Sequence, residues 1–368
     1  MIGADEGCGD LQLPALNFAP PKPQDPTPKI GLVGCGGISE SHLAAYRRCG
    51  LDVVALCSRD PSKAAERAKQ FYPRAQVFTD HRELLQLDSV RVVDIATHPA
   101  GRALLIEESL LAGKHVLSQK PFALDLTIGR GLVELAERSG LKLAVNQNGR
   151  WAPHLAAMRE LAAKGVIGLV EEVDLSIAWD HSWTVGTAFD ETPFLVLFDF
   201  GVHWFDFVAT LTAFREIESV SATVAFSEGQ RSPQPMKAEV FMVGPDLSVR
   251  IAFDGDSADH QRDATLIRGS AGSLMSEGPD LQRQEVTVRA AEGRAQIPLS
   301  GDWFTTGFEG TMCELLCAVQ QDRPPLHSAR DNLRTLELAF AACESANTGV
   351  QVRPGSVSEL PQPCIEGS

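Results

Sequence analysis

The chain has 368 residues, with 33 Lys and Arg against 48 Asp and Glu, a net charge of −15 with histidine neutral. At about 150 residues per domain this length suggests two domains. Its 44% apolar and 22% charged content excludes a disordered chain, a collagen-like chain and a small disulfide-stapled scaffold. The acidic balance argues against nucleic acid and anionic membrane surfaces, both of which need concentrated Lys and Arg.

Residues 1–28 carry prolines at Pro20, Pro21, Pro23, Pro26 and Pro28 and read as an extended lead-in. The N-terminus has no basic start and no apolar segment, so it does not read as a signal peptide. From Lys29, KIGLVG predicts a strand, Ile38–Cys49 a helix and Asp52–Ser58 a second buried strand. Pro61 opens a helix that runs to Phe71. Val92–Thr97 predicts a strand, Ala100–Ala112 a helix stopped by Gly113, and His115–Gln119 another strand. A helix over 125–139 ends at Gly140, and KLAVNQ returns to strand. Alternation over 29–147 predicts a doubly wound parallel sheet.

Phe194 to Phe214 is the most apolar long window, yet it contains Asp199, His203 and Asp206. Those groups are costly in lipid, so the window predicts a buried helix rather than a membrane span. After about 215 the texture changes. Ser219–Phe226, Ala238–Val243, Leu247–Phe253 and Asp263–Gly269 are β-rich with no helices between them, and predict antiparallel strands. Helices over roughly 305–320 and 329–347 close the chain.

The first strand ends in Gly34-Cys35-Gly36-Gly37-Ile38-Ser39, a G-x-G-x-x-S loop that opens a helix. Glycines there let a pyrophosphate approach the backbone, with the helix N-terminus facing the anion; a plain tight turn is the other reading. The second strand ends at Ser58 and Arg59, where an acidic residue would bond the ribose hydroxyls of NAD. A hydroxyl and a guanidinium suit the 2′-phosphate of NADP instead. Asp60 either turns inward and restores NAD or caps the next helix. Lys120 follows the fifth strand, before Pro121. It reads either as a group beside the nicotinamide and a substrate hydroxyl or as a surface lysine. Asp199 and His203 stand four apart, on one face if the segment is a regular helix. They fit a proton-transferring imidazole with an orienting carboxylate, or a buried satisfied pair. The stretch Ile177–Phe194 holds Trp179, Asp180, His181 and Trp183, suited to carbohydrate or to packing on the sheet.

The eight cysteines form no CxxC pair and suit a reducing compartment. Cys313 and Cys317, four apart on a predicted helix, read as packing residues, and no metal is expected. The chain is read as cytoplasmic.

Together these features resemble the Gfo/Idh/MocA oxidoreductase family, named for glucose–fructose oxidoreductase, inositol dehydrogenase and a rhizopine-catabolism protein. The matching stretches are the glycine loop, Ser58–Ala68, Val92–Pro99, Glu107–Leu124, Gly149–Pro153, Lys164–Val170, Phe198–Asp206 and Thr348–Val352. The resemblance implies an α/β Rossmann domain with a doubly wound parallel sheet. An α+β domain with a large, mainly antiparallel open sheet would follow it. The expected layout is a Pro-rich extension over 1–28, a nucleotide domain over 29–148, a substrate and oligomerisation domain over 149–352, and a tail over 353–368.

It further implies hydride transfer between NAD(P), with NADP favoured over NAD, and a hydroxyl or carbonyl of a sugar or polyol. Catalytic roles pass to Lys120, His203 and Asp199. Cofactor contacts pass to Gly34, Gly36, Gly37, Ile38, Ser58, Arg59, Thr97, His98, Gln119 and Lys120. Trp179, His181, Trp183, Asn148 and Arg150 are the substrate-binding candidates. Two departures stand out: Gln119 replaces the usual acidic residue before Lys-Pro, and Arg102 stands where members often carry His. A homo-oligomer, dimer or tetramer, is expected. An NAD-retaining glycoside hydrolase and a non-catalytic cofactor-binding regulator are the alternatives.

Overall fold

The computed structural model describes residues 11–363; Cys8, Cys364 and the outer ends of the lead-in and the tail lie outside the described residues. The chain divides into two compact units, and the division is not a simple cut in sequence. Ala19–Ala152 and Trp303–Leu336 form the first. Pro153–Asp302 forms the second, together with the segments before Ala19 and after Leu336.

In the first unit, strands β1 (Lys29–Val33), β2 (Val53–Cys57), β3 (Gln76–Phe78), β4 (Val90–Ile95), β5 (His115–Gln119) and β6 (Leu143–Asn146) make one parallel sheet. Its order is β3-β2-β1-β4-β5-β6. Helices α1 (Ser39–Arg48), α2 (Pro61–Phe71), α3 (His81–Leu85), α4 (Arg102–Leu111) and α5 (Leu126–Arg138) join the strands. The predicted alternation is present, with β3 and α3 as additions. Strand residues such as Ile30, Leu32, Val92 and Leu117 are fully buried, as expected for a sheet covered on both faces.

Helix α8 (Thr305–Gln320) completes this core, although the reading of the sequence placed everything from 149 to 352 in the second domain. Phe308, Met312, Cys313, Leu315 and Leu316 pack into one cluster with Leu43, Tyr46, Val53 and Leu56. The apolar face of α1 and β2 needs that cover, so hydrophobic burial draws a distant segment back to the sheet.

The second unit is built on an eight-stranded sheet: β7 (Val170–Ala178), β8 (Ser219–Ala225), β9 (Lys237–Gly244), β10 (Leu247–Asp254), β11 (Arg262–Gly269), β12 (Gly272–Asp280), β13 (Arg283–Ala290) and β14 (Gly293–Ile297). The order is β14-β13-β12-β11-β7-β10-β9-β8, antiparallel throughout except for β7 beside β10. Burial alternates along the strands: on β9, Ala238, Val240 and Met242 are buried while Lys237, Phe241 and Val243 are exposed. Helices α6 (Pro153–Ala163) and α7 (Val202–Leu211) belong to this unit, as does α9 (Ala329–Thr348) beyond Leu336. Among the described residues, no helix is long and apolar enough to cross a membrane.

Candidate active site

The glycine loop leaves β1 at its carboxyl end. Gly34 sits at φ +103°, where a Cβ would lie 2.8 Å from Ala96 backbone atoms, so only glycine fits. Gly36 and Gly37 differ: a Cβ on either would meet nothing within 4 Å. The protein itself does not require glycine there, whereas a phosphate seated on the backbone would. Ser39, in the third fingerprint position, is fully buried and donates its hydroxyl to Gly36 O at 2.5 Å. Thr97, at the end of β4, has a buried Oγ1 with no hydrogen-bond partner among the described residues. Open space over the glycines and an orphaned hydroxyl on the next strand fit a dinucleotide.

At the end of β2, Asp60 is the N-cap of α2. Its carboxylate accepts from Ser62 N at 3.0 Å and Ser62 Oγ at 2.6 Å, and these bonds hold it below the usual carboxylate range. Ser58 Oγ accepts from Asp60 N at 3.2 Å, and Arg59 is exposed. Of the two readings of Asp60, the structure shows the cap. Burial pushes the Cys35 thiol up to about 12 and Cys57 to about 11, so both stay protonated.

At the end of β5, the Lys120–Pro121 peptide is cis. Arg102 is 1% exposed and donates to the carbonyl oxygens of Gln119 (2.7 Å), Pro121 and Thr97. It braces the backbone on either side of Lys120. Gln119 Oε1 in turn accepts from Lys120 N at 2.7 Å. After β6, Asn148 donates to Trp303 O at 3.4 Å and Arg150 to Leu326 O, so both side chains bond backbone of their own unit. His98 precedes the short turn Pro99–Gly101. Every predicted cofactor residue therefore lies at or just beyond the carboxyl end of a parallel strand, the edge where open α/β sheets bind ligands.

The second unit holds the rest. Val196–Phe200 winds as one π-helical turn, closed by Gly201 N to Val196 O at 2.8 Å, and α7 begins at Val202. Asp199 lies in that turn and His203 in α7. The expectation of one regular helix over this stretch is therefore corrected: a wider turn precedes α7, and Asp199 and His203 fall on successive turns. Asp199 is 6% exposed.

His181 meets Trp179, Trp183 and Phe200, stacking on Phe200 at 3.9 Å and an 11° interplanar angle, and Trp183 also meets Phe200. The cavity beside them, lined by Ile177, Trp204, Phe253 and Gly255 among others, is about 10 Å³, room for a water and not a sugar. The aromatic side chains here fill the space mainly with each other; Trp183 alone is 57% exposed.

Reading the sequence missed the buried polar group His42, Tyr46 and Asp94. The signals were there: His42 and Tyr46 fall four apart on the inward face of α1, and Asp94 interrupts the buried apolar run from Val92 to Ile95.

Residues 28–147 match the oxidoreductase family with an NAD-binding Rossmann fold. Over 346 residues, the chain is 28% identical to a D-apiose dehydrogenase of Paraburkholderia graminis, covering 87% of this chain and 88% of that protein. It is 27% identical over 352 residues to an inositol 2-dehydrogenase of Acidothermus cellulolyticus, covering 91% and 98%. An oxidoreductase from Agrobacterium radiobacter, solved with NAD+, L-tartaric acid and magnesium, shares the fold at a TM-score of 0.78 and 20% identity, covering 90% and 99%. With its glycine loop and lysine–proline turn in place, the segment 28–147 is a nucleotide domain of the Gfo/Idh/MocA oxidoreductases, and the chain as a whole is similar to the two dehydrogenases.

Proposed function

We propose that this protein is an NADP-preferring dehydrogenase or reductase acting on a hydroxyl or carbonyl of a sugar, polyol or similar compound. The observation that carries the reading is Lys120. It stands at the carboxyl end of β5, on the same sheet edge as the glycine loop, with its peptide neighbours braced by Arg102. The names of the relatives, D-apiose dehydrogenase and inositol 2-dehydrogenase, support a polyhydroxy substrate.

A bound dinucleotide would supply the hydride donor or acceptor. Gly34, Gly36, Gly37, Ile38, Thr97 and His98 would hold it. Lys120 and His203 hold or move the proton at the reacting oxygen, and Asp199 positions His203. Trp179, His181, Trp183, Asn148 and Arg150 are proposed to contact the substrate, once the aromatic cluster rearranges around it. The preference for NADP follows from Asp60 being spent on its helix cap, leaving Ser58 and exposed Arg59 for a 2′-phosphate. The assembly is a homo-oligomer, dimer or tetramer.

The test is a substrate screen with NADP and NAD, starting from D-apiose and myo-inositol. Lys120→Met and His203→Ala should each lower kcat by about 10²–10⁴-fold, the usual contribution of one acid–base group; losses below about tenfold would remove that group from the chemistry. Arg59→Ala should weaken NADPH, measured by fluorescence titration, about tenfold or more while leaving NADH within about twofold, as expected for loss of one charge-assisted contact. Equal effects on both would cancel the NADP assignment. Tightly copurified NAD with no net turnover would point to the hydrolase instead.

A further inference from the structure

Five side chains meet behind Lys120, inside the first unit. His42, Tyr46, Asp94 and Asn146 are fully buried and Gln119 is 6% exposed. Tyr46 donates its hydroxyl to Asp94 Oδ2 at 2.7 Å, and His42 Nδ1 lies 2.7 Å from the same oxygen. On the other side of the ring, Gln119 Nε2 lies 3.1 Å and Asn146 Nδ2 3.2 Å from His42 Nε2. Phe308 covers the ring at 4.4 Å.

The proton positions follow by elimination. Lys120 N–H donates to the Gln119 side chain at 2.7 Å, so the amide end facing Lys120 is the oxygen. The amide nitrogen must then face His42 Nε2 and donate to it. Nε2 is therefore a lone pair, and the ring proton sits on Nδ1, donated to the Asp94 carboxylate. Burial and the adjacent Asp94 push the Tyr46 phenol well above its usual range, which keeps its proton on the same carboxylate. Every donor in the chain thus points one way, from Lys120 to Gln119, from Gln119 to His42, and from His42 to Asp94.

We infer that the buried His42–Asp94 pair is a positioning device for Lys120, acting through the side-chain amide of Gln119. Asp94 fixes the imidazole tautomer, the tautomer fixes which way the Gln119 amide points, and the amide oxygen holds the Lys120 peptide. Arg102 holds the two carbonyls flanking that peptide, so the base of the lysine side chain is set from two directions. Gln119 is matched to a neutral imidazole: a carboxylate at 119 would meet the Nε2 lone pair and require a second ring proton. The inference rests on the reading of Lys120 as an acting group.

The experiment is a mutant cycle on the full chain with bound NADPH, using the panel sugar or polyol turned over fastest. A misplacement on the order of 1 Å can cost about 10²-fold, so Gln119→Met and His42→Leu should each lower kcat roughly 10- to 100-fold, with the dinucleotide KM of His42→Leu staying within about twofold. His42→Gln, whose amide oxygen takes the place of Nε2, should recover most of the loss. In the Lys120→Met background the same changes should add less than about twofold, because they act through the missing group. Equal losses in both backgrounds would overturn the inference and leave the role of Lys120 standing. A Lys120→Met variant as fast as the parent would instead remove the reading beneath it.

A second measurement needs no substrate, and its first readout needs no variant. Nitrogen NMR of labelled histidine should show His42 protonated at Nδ1 alone in the parent, and at both nitrogens in Gln119→Glu. A proton on Nε2 in the parent would overturn the inference.

Discussion

His154 on α6 and Asp263 on β11 are each 1% exposed, with Nε2 and Oδ1 4.0 Å apart. Asp263 points to the covered face of the sheet, its register partner on β7 being buried Ile177. Burial drives both groups toward neutrality, His154 down to about 3 and Asp263 up to about 7. Taken alone, His154 costs stability as pH falls below 6.5, because the unfolded chain takes a proton the folded one refuses. Asp263 alone costs stability as pH rises from about 4 to about 7, because the unfolded chain releases a proton the folded one keeps. Between about 4 and 6.5 the two slopes oppose each other, since each state carries one proton on the pair. Asp263→Asn should uncover the histidine slope: stability falls on acidification from pH 6.5, by up to about 1.4 kcal/mol per pH unit. Urea midpoints across that range, for variant and parent, check it; identical slopes would mean that His154 is not held neutral.

At the level of elements, what could be read from the sequence depended on how local the cause was. Helix α2 begins and ends at Pro61 and Phe71 as expected, because Asp60 caps it and proline opens it, both neighbours in sequence. The glycine loop was legible for the same reason. The π-turn before α7 was not. It rests on Gly201, where a Cβ would stand 2.5 Å from Leu197 O, and a period of 3.6 gives no hint of the extra residue. Strands β12 to β14 escaped individual notice because Gly278 and Pro279 break the alternation and much of one face is polar. The His42–Asp94 pair joins residues 52 apart, and only the adjacency of β1 and β4 brings α1 over that strand. The candidate catalytic residues were therefore legible as single positions, while the groups that hold one of them were not.

At the scale of the molecule, one face of the eight-stranded sheet bears on the proposed assembly. Phe241, Arg250, Asp174, Leu266 and Met275 form a row across β9, β10, β7, β11 and β12. Its charges are answered within the chain, Arg250 by Asp174 and Glu239, and Arg268 by Glu172. Phe241, Val243 and Met275 remain 49%, 46% and 42% exposed. A face with its charges already paired and its apolar groups bare suits a second copy of the same surface. Phe241→Lys should lower the mass seen by light scattering to that of a single chain; a parent already monomeric would dismiss the oligomer.

Helix α8 carries a further consequence, for synthesis rather than for the finished fold. The sheet of the first unit is complete in sequence by Asn146, yet the cover of Leu43, Tyr46 and Leu56 arrives with Phe308 to Leu316. At about 5–20 residues per second, the ribosome takes on the order of ten to thirty seconds to supply it. For that interval the nascent chain displays an unfinished apolar surface. The fold thus places on chaperones, or on the speed of translation, a burden that a nucleotide domain closed within its own stretch of sequence would not impose.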